Sequence, residues 1–381
     1  MRAFATDCEN SAAELLDRDD WRGAGQQRAF APPSPGAKDL AGRGLREAGI
    51  LDVTVLLFDD GLSSTALLPV EIFFAAGALW NNLHGRPAEP AFRVTTASLD
   101  GRAVRNPQGL LIQPETSIEA IERTDIIIVP TSGMELDVKL VEHSALLPWL
   151  RRHYAAGAYV AGVCMGAAYL AEAGLLDGRM ATTHWALAGD FARRYPRVNW
   201  RSDLFVTEDQ RVLCSGGVYA SIDLSLYLVE KLCCHEIAVQ CARALLLPRP
   251  RIHQSGYAML PLSPPHGDER IRAVETFLQK NFREDVSVGT LAKKAALGAR
   301  TLARRFKAAT GRHPSAYLQA VRIETAKAML EQDTAPIQSV SCAVGYDDVA
   351  FFRSLFKRNT GMTPAEYRAQ FAPLSVRVEA A

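Results

Sequence analysis

From residue 50 to about 163, runs of apolar and β-branched residues alternate with stretches of helical character, at 52–58, 66–82, 92–97, 125–130, 136–156 and 158–163. Strands and helices taking turns predict a parallel sheet covered by helices, since each parallel connection has to cross a face of the sheet. An apolar helical stretch over 220–246 closes this unit. Pro248, Pro250, Pro261, Pro264 and Pro265 then interrupt regular structure and mark a linker. Beyond Asp268 the pattern turns to short amphipathic segments of helix formers, punctuated by Gly, Pro and Ser/Asp, with no strand-like alternation. The expected fold is α/β, a parallel-sheet sandwich domain, followed by an all-α domain. The expected boundaries are a flexible tail or over-long start at 1–49, the α/β domain at 50–246, a Pro-rich linker at 247–267, the helical domain at 268–370 and a short tail at 371–381.

Composition narrows the function classes. A chain of 381 residues has room for two domains, and 48% hydrophobic with 22% charged residues is globular. No apolar run reaches the roughly 18 to 20 residues of a membrane span. The N-terminus shows no apolar run of the secretory kind, so no membrane partner and a cytoplasmic location are expected. Seven cysteines, at 8, 164, 214, 233, 234, 241 and 342, lack the paired spacing of a zinc site or a disulfide framework, which predicts reduced thiols and no structural metal. The net charge of +1 conceals an uneven distribution. Residues 268–370 hold 17 Lys and Arg against 11 Asp and Glu, a surplus of +6, which leaves −5 for the rest. The helical segment is therefore where a polyanion would bind.

That segment also repeats itself. Phe306-Lys307, Thr310-Gly311, Pro314 and Tyr317 recur as Phe356-Lys357, Thr360-Gly361, Pro364 and Tyr367, six identities at an unbroken offset of 50 residues. Upstream of each copy lies the pattern of a helix-turn-helix. In the first, Ser287 caps a helix reaching to about Ala296, Leu297-Gly298 makes the turn, and a second helix covers 299–308. In the second, 337–344 is the first helix, Gly345-Tyr346-Asp347 the turn, and 348–358 the second helix. With Leu302 and Phe306 facing inward, Arg300, Thr301, Arg304 and Arg305 fall on the outer side of the first recognition helix. Guanidinium forks match guanine edges and phosphates. On the second, with Phe352 and Phe356 inward, Val349, Ala350, Arg353 and Ser354 occupy the comparable surface. Val349 or Ala350 suits a thymine methyl, and Lys357 with Arg358 suits phosphates. A lone Arg-x-x-x-Arg is ordinarily a solvated face, but two such units in tandem on a basic domain favour DNA reading.

These residues, together with Leu291-Ala292, Arg322, Ile337, Gly345-Tyr346 and Arg368, resemble the AraC-type DNA-binding domain over essentially all of 268–370. The resemblance implies two helix-turn-helix units joined by a long helix, here about 315–332, which set two recognition helices into successive major grooves of promoter DNA. One departure is Ser354, where the family commonly carries arginine, so base reading by the second unit is expected to differ.

In the front domain, Gly162-Val163-Cys164-Met165-Gly166 follows an apolar strand and opens a helix, the G-x-C-x-G pattern of a nucleophile elbow. Such a turn presents Cys164 at the C-terminal edge of the sheet, where open α/β sheets bind ligands, and near a helix N-terminus that would lower its thiol pKa. With Leu175-Leu176-Asp177-Gly178-Arg179, Ala181-Thr182-Thr183-His184-Trp185 and Ser215-Gly216-Gly217-Val218, the elbow resembles the DJ-1/PfpI family over about 50–245. Fused to an AraC-type reader, it is similar to the GlxA-type AraC-family regulators, in which such a domain senses a metabolite. The expected lining of an effector pocket is Glu71, Gly133, Cys164, Met165, His184 and Trp185. The residues leave three readings open: a ligand pocket that keeps the elbow as a structural feature, a cysteine-dependent hydrolase or hydratase-like enzyme with Cys164 and His184 as its candidates and Glu71 as acidic neighbour, and a redox or covalent sensor at Cys164. Related peptidases place histidine directly after the cysteine, where this chain has Met165, so the regulator reading leads and no cofactor is expected. The expected partners are double-stranded promoter DNA, a small-molecule effector, RNA polymerase, and a second copy of the chain, packed through the apolar closing helix of the front domain. The other cysteines read as small apolar fillers, with Cys233-Cys234 inside that helix.

Overall fold

The computed structural model describes residues 49–248, 250–258, 263, 266–332 and 335–372. The expected tails lie outside the described residues except for Gly49, Phe371 and Ala372, and so do Pro261, Pro264 and Pro265.

The strands are β1 (Leu51–Leu56), β2 (Phe92–Ser98), β3 (Val104–Arg105), β4 (Leu111–Ile112), β5 (Thr116–Ser117), β6 (Ile126–Val129), β7 (Tyr159–Val163), β8 (Met180–Ala181), β9 (Asn199–Trp200), β10 (Val206–Asp209) and β11 (Val212–Ser215). Seven of them form one sheet in the order β10-β11-β7-β6-β1-β2-β5. All its pairs are parallel except β10 with β11. Around the sheet run α1 (Ser64–Ala75), α2 (Leu79–Leu83), α3 (Leu136–Glu142), α4 (Leu146–Ala155), α5 (Ala167–Glu172), α6 (Ala188–Arg194), α7 (Ala220–Leu232) and α8 (His235–Ala244). Alternation along the strands sends successive side chains to opposite faces. Ile126 and Ile128 join Val53, Val55 and Ala161 in a core shared with α1, α7 and α8, while Ile127 and Val129 join Val160, Trp149 and Tyr169 beneath α4 and α5. A strand buried on both faces is the physical reason β6 reads Ile-Ile-Ile-Val without a polar residue.

The structure breaks three expected helices. The stretch 66–82 divides into α1 and α2 at Gly77, whose φ is +77° and where a Cβ would stand 2.1 Å from the Glu89 carbonyl oxygen. The stretch 136–156 divides into α3 and α4 around His143. The stretch 220–246 divides into α7 and α8 at Cys233-Cys234, with Cys234 extended and exposed, so this pair marks a break instead of lying inside a helix. Leu224, Leu226, Leu228 and Val229 of α7 are buried in the sheet core, with Ile222, Tyr227 and Leu232 half-buried against it. Among the described residues, no helix is long and apolar enough to cross a membrane.

The C-terminal region is all-helical: α9 (Glu269–Lys280), α10 (Val288–Lys294), α11 (Ala299–Thr310), α12 (Pro314–Gln332), α13 (Ile337–Ala343), α14 (Val349–Thr360) and α15 (Pro364–Phe371). It has two cores. Ile271, Leu291, Leu302, Phe306 and Tyr317 fill the first, and Leu330, Val340, Phe352, Phe356 and Tyr367 the second. The sequence repeat is a repeat of contacts. Phe306 meets Tyr317 edge-on at 5.3 Å between ring centroids, and Phe356 meets Tyr367 at 5.5 Å. Gly311 and Gly361 end their helices in the left-handed conformation that favours glycine, at φ +74° and +79°. Thr310 and Thr360 each donate to the carbonyl four residues back at 2.8 Å and accept the N–H two residues ahead at 3.2 Å. Arg322 joins the two units, donating to the Phe282 and Glu284 carbonyls while its guanidinium lies 4.9 Å from the Tyr346 ring centroid.

Because each phenylalanine is the fully buried centre of its own cluster, Phe306→Ala and Phe356→Ala should each destabilise the protein by about 3 to 5 kcal/mol. Urea denaturation followed by circular dichroism measures the loss.

Candidate functional site

The strand-helix turn after β7 is held by close backbone approach. A Cβ on Gly166 would stand 2.0 Å from the Val129 carbonyl oxygen, and one on Gly162 would stand 2.8 Å from the Ala167 nitrogen. Between the two glycines Cys164 takes φ +56°, a conformation that non-glycine residues adopt only when their surroundings impose it. The elbow expected from the sequence is therefore present, but its chemistry is reversed. Cys164 is only 5% exposed. Burial pushes its thiol up, and the hydrogen bonds that Thr131 and the Met165 and His184 amides offer the sulfur do not overcome it. The helix after the turn, α5, has only six residues, too short a dipole to reverse that penalty.

His184 meets the cysteine through its backbone amide. Its ring Nδ1 accepts the Ala186 N–H at 3.1 Å, which places the ring proton on Nε2 and leaves no free lone pair for a general base. Burial lowers its pKa. Trp185 packs beside it with ring centroids 5.3 Å apart. Thr183 Oγ1 donates to the Cys164 carbonyl at 3.0 Å, so the 182–185 loop forms one wall of the elbow. Met165 is buried in the sheet core, Glu71 is exposed on α1, and Gly133 at φ +108° lies against Asp60. The site thus gathers Cys164, His184 and Trp185, with Met165 behind them.

Beside the elbow is a small, shallow cleft lined by Leu57, Phe58, Leu62, Ser63, Asn106 and Thr131 among others. It lies beyond the C-terminal ends of β1 and β6. From β1 the chain moves outward to β2 in one direction and to β6 and β7 in the other, so these ends are the switch point of the sheet, where ligands of open α/β folds bind. Thr131 belongs to both the cleft and the elbow, since its hydroxyl also donates to the Val163 carbonyl at 3.3 Å. Asn106 donates to Ser63 Oγ at 2.7 Å across the mouth. Single polar residues on loops carry no motif, so Ser63, Asn106 and Thr131 left no signal in the sequence.

A buried polar chain pins the loop beneath the cleft. Tyr169 Oη donates to Ser132 Oγ at 2.6 Å, so His143 Nδ1, 2.8 Å away, must be the donor to Tyr169. Phe58 stacks on both rings, at 4.7 and 5.4 Å between centroids. Burial, aided by the nearby Lys139 ammonium, lowers the His143 pKa to about 4.

In the helical region Arg300, Thr301 and Arg304 are exposed along α11, as are Ala350, Arg353, Ser354, Lys357 and Arg358 along α14. Two placements differ from expectation. Arg305 is turned back in a bidentate pair with Asp268, Nε to Oδ2 at 2.9 Å and Nη2 to Oδ1 at 2.8 Å, where Asp268 also caps α9 by accepting the Ile271 N–H. It closes the first unit instead of facing outward. Val349 is half-buried, whereas Phe351, which sequence reasoning passed over, is 49% exposed on α14 beside Tyr346. Helical spacing alone could have found it, since 351 and 354 share a face.

An α/β domain with an elbow cysteine one strand from its switch point, followed by two helix-turn-helix units with cationic outer faces, is the build of a DNA-binding transcription regulator. The DJ-1/PfpI family model matches residues 67–231, and a helix-turn-helix domain model matches residues 291–370. The chain therefore joins a DJ-1/PfpI domain to a C-terminal AraC-type helix-turn-helix domain. It is similar to the HTH-type transcriptional regulator CdhR of Pseudomonas aeruginosa, 28% identical over 280 residues that span 73% of this chain and 82% of the relative. It is also similar to the HTH-type transcriptional regulator GlxA of Rhizobium meliloti, 26% identical over 76% of this chain and 87% of the relative. A shorter likeness, 34% over 129 residues, covers 34% of this chain and 54% of an isonitrile hydratase of Pseudomonas putida.

Two outcomes test these placements. Arg304→Ala should weaken specific DNA binding by about 1 to 3 kcal/mol with little change in melting temperature. Arg305→Ala should lower the melting temperature by loosening the junction of α9 with α11. As for pH, the unfolded chain protonates His143 first, near its ordinary value of 6.5, while the folded protein resists until about 4. Stability should therefore be complete above pH 6.5 and fall as pH drops toward 4. Melting curves across that window should show a shallower fall in His143→Gln.

Proposed function

We propose that this protein is a cytoplasmic, sequence-specific transcription regulator that sets α11 and α14 into successive major grooves of promoter DNA, under the control of a small molecule bound beside Cys164. The duplication carries the reading. Two copies of one helix-turn-helix, each closed by its own Phe-Tyr pair, present exposed arginines on equivalent helices. Arg300, Thr301 and Arg304 form the proposed base-reading set of the first unit. Ala350, Arg353 and Ser354 form that of the second, with Lys357 and Arg358 on phosphates. Exposed Phe351 supports apolar contact with a thymine methyl, in a unit that carries Ser354 where an arginine would read guanine.

The front domain is read as a sensor that binds without turning over. A thiol pushed up by burial and a histidine whose acceptor nitrogen is taken by a backbone N–H support that choice over hydrolysis or hydration. The cleft lining is apolar with neutral hydroxyl and amide groups, which suits a compact uncharged ligand or the uncharged part of a larger one.

Selection of genomic fragments by the purified protein at two salt concentrations tests the reading, since non-specific binding to phosphates collapses with salt more completely than specific binding does. The expected result is a bipartite motif with its halves about one helical turn apart. Loss of all fragments at the higher salt would overturn it.

A further inference from the structure

The stretch between the two regions includes a segment built against both. Residues 252–254 run antiparallel to 203–205: Phe205 N–H donates to the Ile252 carbonyl, and Gln254 N–H to the Asp203 carbonyl, each at 2.9 Å. Gln254 is 1% exposed. Its Nε2 donates to the Thr183 carbonyl at 2.8 Å and the Leu204 carbonyl at 3.0 Å, and its Oε1 accepts the Trp185 N–H at 3.1 Å. A Cβ on Gly216 would stand 2.7 Å from this amide. Gln254 therefore grips the outer side of the same 182–185 loop whose inner side holds the Cys164 carbonyl and sulfur.

The following residues are held by the second helix-turn-helix unit and its long helix. Lys327 Nζ on α12 donates to the Ala258 carbonyl at 3.0 Å and lies 3.4 Å from the Ser255 carbonyl. Tyr257 packs edge-on between Phe205 and Phe371, and Gln370 donates to its hydroxyl. A Cβ on Gly361, the glycine that ends α14, would stand 2.5 Å from the His253 Cβ.

We propose that segment 251–258 is the strap that couples the Cys164 site to the second DNA-reading unit, with Gln254 as its positioning residue. This deepens the sensor reading and rests on it. Any ligand that shifts the 182–185 loop must move or strain the Gln254 amide, and that displacement is delivered at the C-terminal end of α14 and at α15. The first unit is held separately, by its own core, by the Arg305–Asp268 pair and by the contact of His266 with Glu275 on α9. Coupling of this kind is reciprocal, so a perturbation on the helical side is felt at the cysteine.

The test uses the full-length protein and requires neither operator nor effector, which separates its failure from failure of the regulator reading. Cys164 is labelled with iodoacetamide and quantified by peptide mass spectrometry, alongside backbone hydrogen exchange, in wild type, Lys327→Met and Gln254→Leu. Loss of the Lys327 contacts should speed Cys164 labelling and exchange at 182–187 by about tenfold, the scale of one lost buried hydrogen bond, with α9 to α11 unchanged. Gln254→Leu should do the same and also speed exchange over 362–371. Cys164 labelling at the wild-type rate in Lys327→Met would overturn the proposal. So would an increase spread equally over α9 to α11, which would mean general loosening.

Discussion

The approach of Gly166 to the Val129 carbonyl is the constraint on which the front domain depends. It lets β7 turn into α5 with no side chain between the turn and the neighbouring strand, and Cys164 takes a positive φ at the C-terminal end of this interior strand. Strain of this kind persists only where the surroundings over-determine it. Here Thr131 from the loop after β6 and the 182–185 loop hold the turn from two sides. The His143–Tyr169–Ser132 chain anchors the β6 loop in turn, with every hydrogen bond directed inward. The result is a buried elbow, held from two sides, beside a small cleft.

The helical region obeys a different constraint. A recognition helix of twelve residues cannot hold itself in water, and tertiary packing has to supply its stability. Each unit solves this with the same parts: a left-handed glycine end, a threonine bridging the turn, and a buried phenylalanine against a tyrosine. The units are not identical where they face outward. Arg300 and Arg304 stand on the first outer face, while Phe351 and Ser354 stand beside Arg353 on the second, so one scaffold presents two surface chemistries.

Between these regions, buried polar side chains do the joining. Gln254 and Lys327 are each almost fully buried, and each donates to backbone carbonyls of a segment distant in sequence. Burying such groups is costly unless every donor is satisfied, so these contacts specify one arrangement more sharply than apolar packing would. The same sharpness makes them suited to transmitting a displacement.

Much of this was legible in the chain itself. Periodicity reported the α/β and all-helical regions, the glycines around Cys164 reported the elbow, and the 50-residue offset reported two helix-turn-helix units with Leu302, Phe306, Phe352 and Phe356 inward. These signals are local, since hydrophobic period and turn geometry depend on neighbours within a few positions. What depends on distant neighbours was decided only by the tertiary structure. Burial raised the Cys164 thiol that its place before a helix was expected to lower, Asp268 drew Arg305 inward, and the Glu89 carbonyl approaches closely where the helix breaks at Gly77. The cleft residues Ser63, Asn106 and Thr131, and the grip of Gln254 on the 182–185 loop, join positions up to 72 residues apart. A linear pattern carries no trace of them, because a buried hydrogen bond is defined by which backbone happens to arrive beside it.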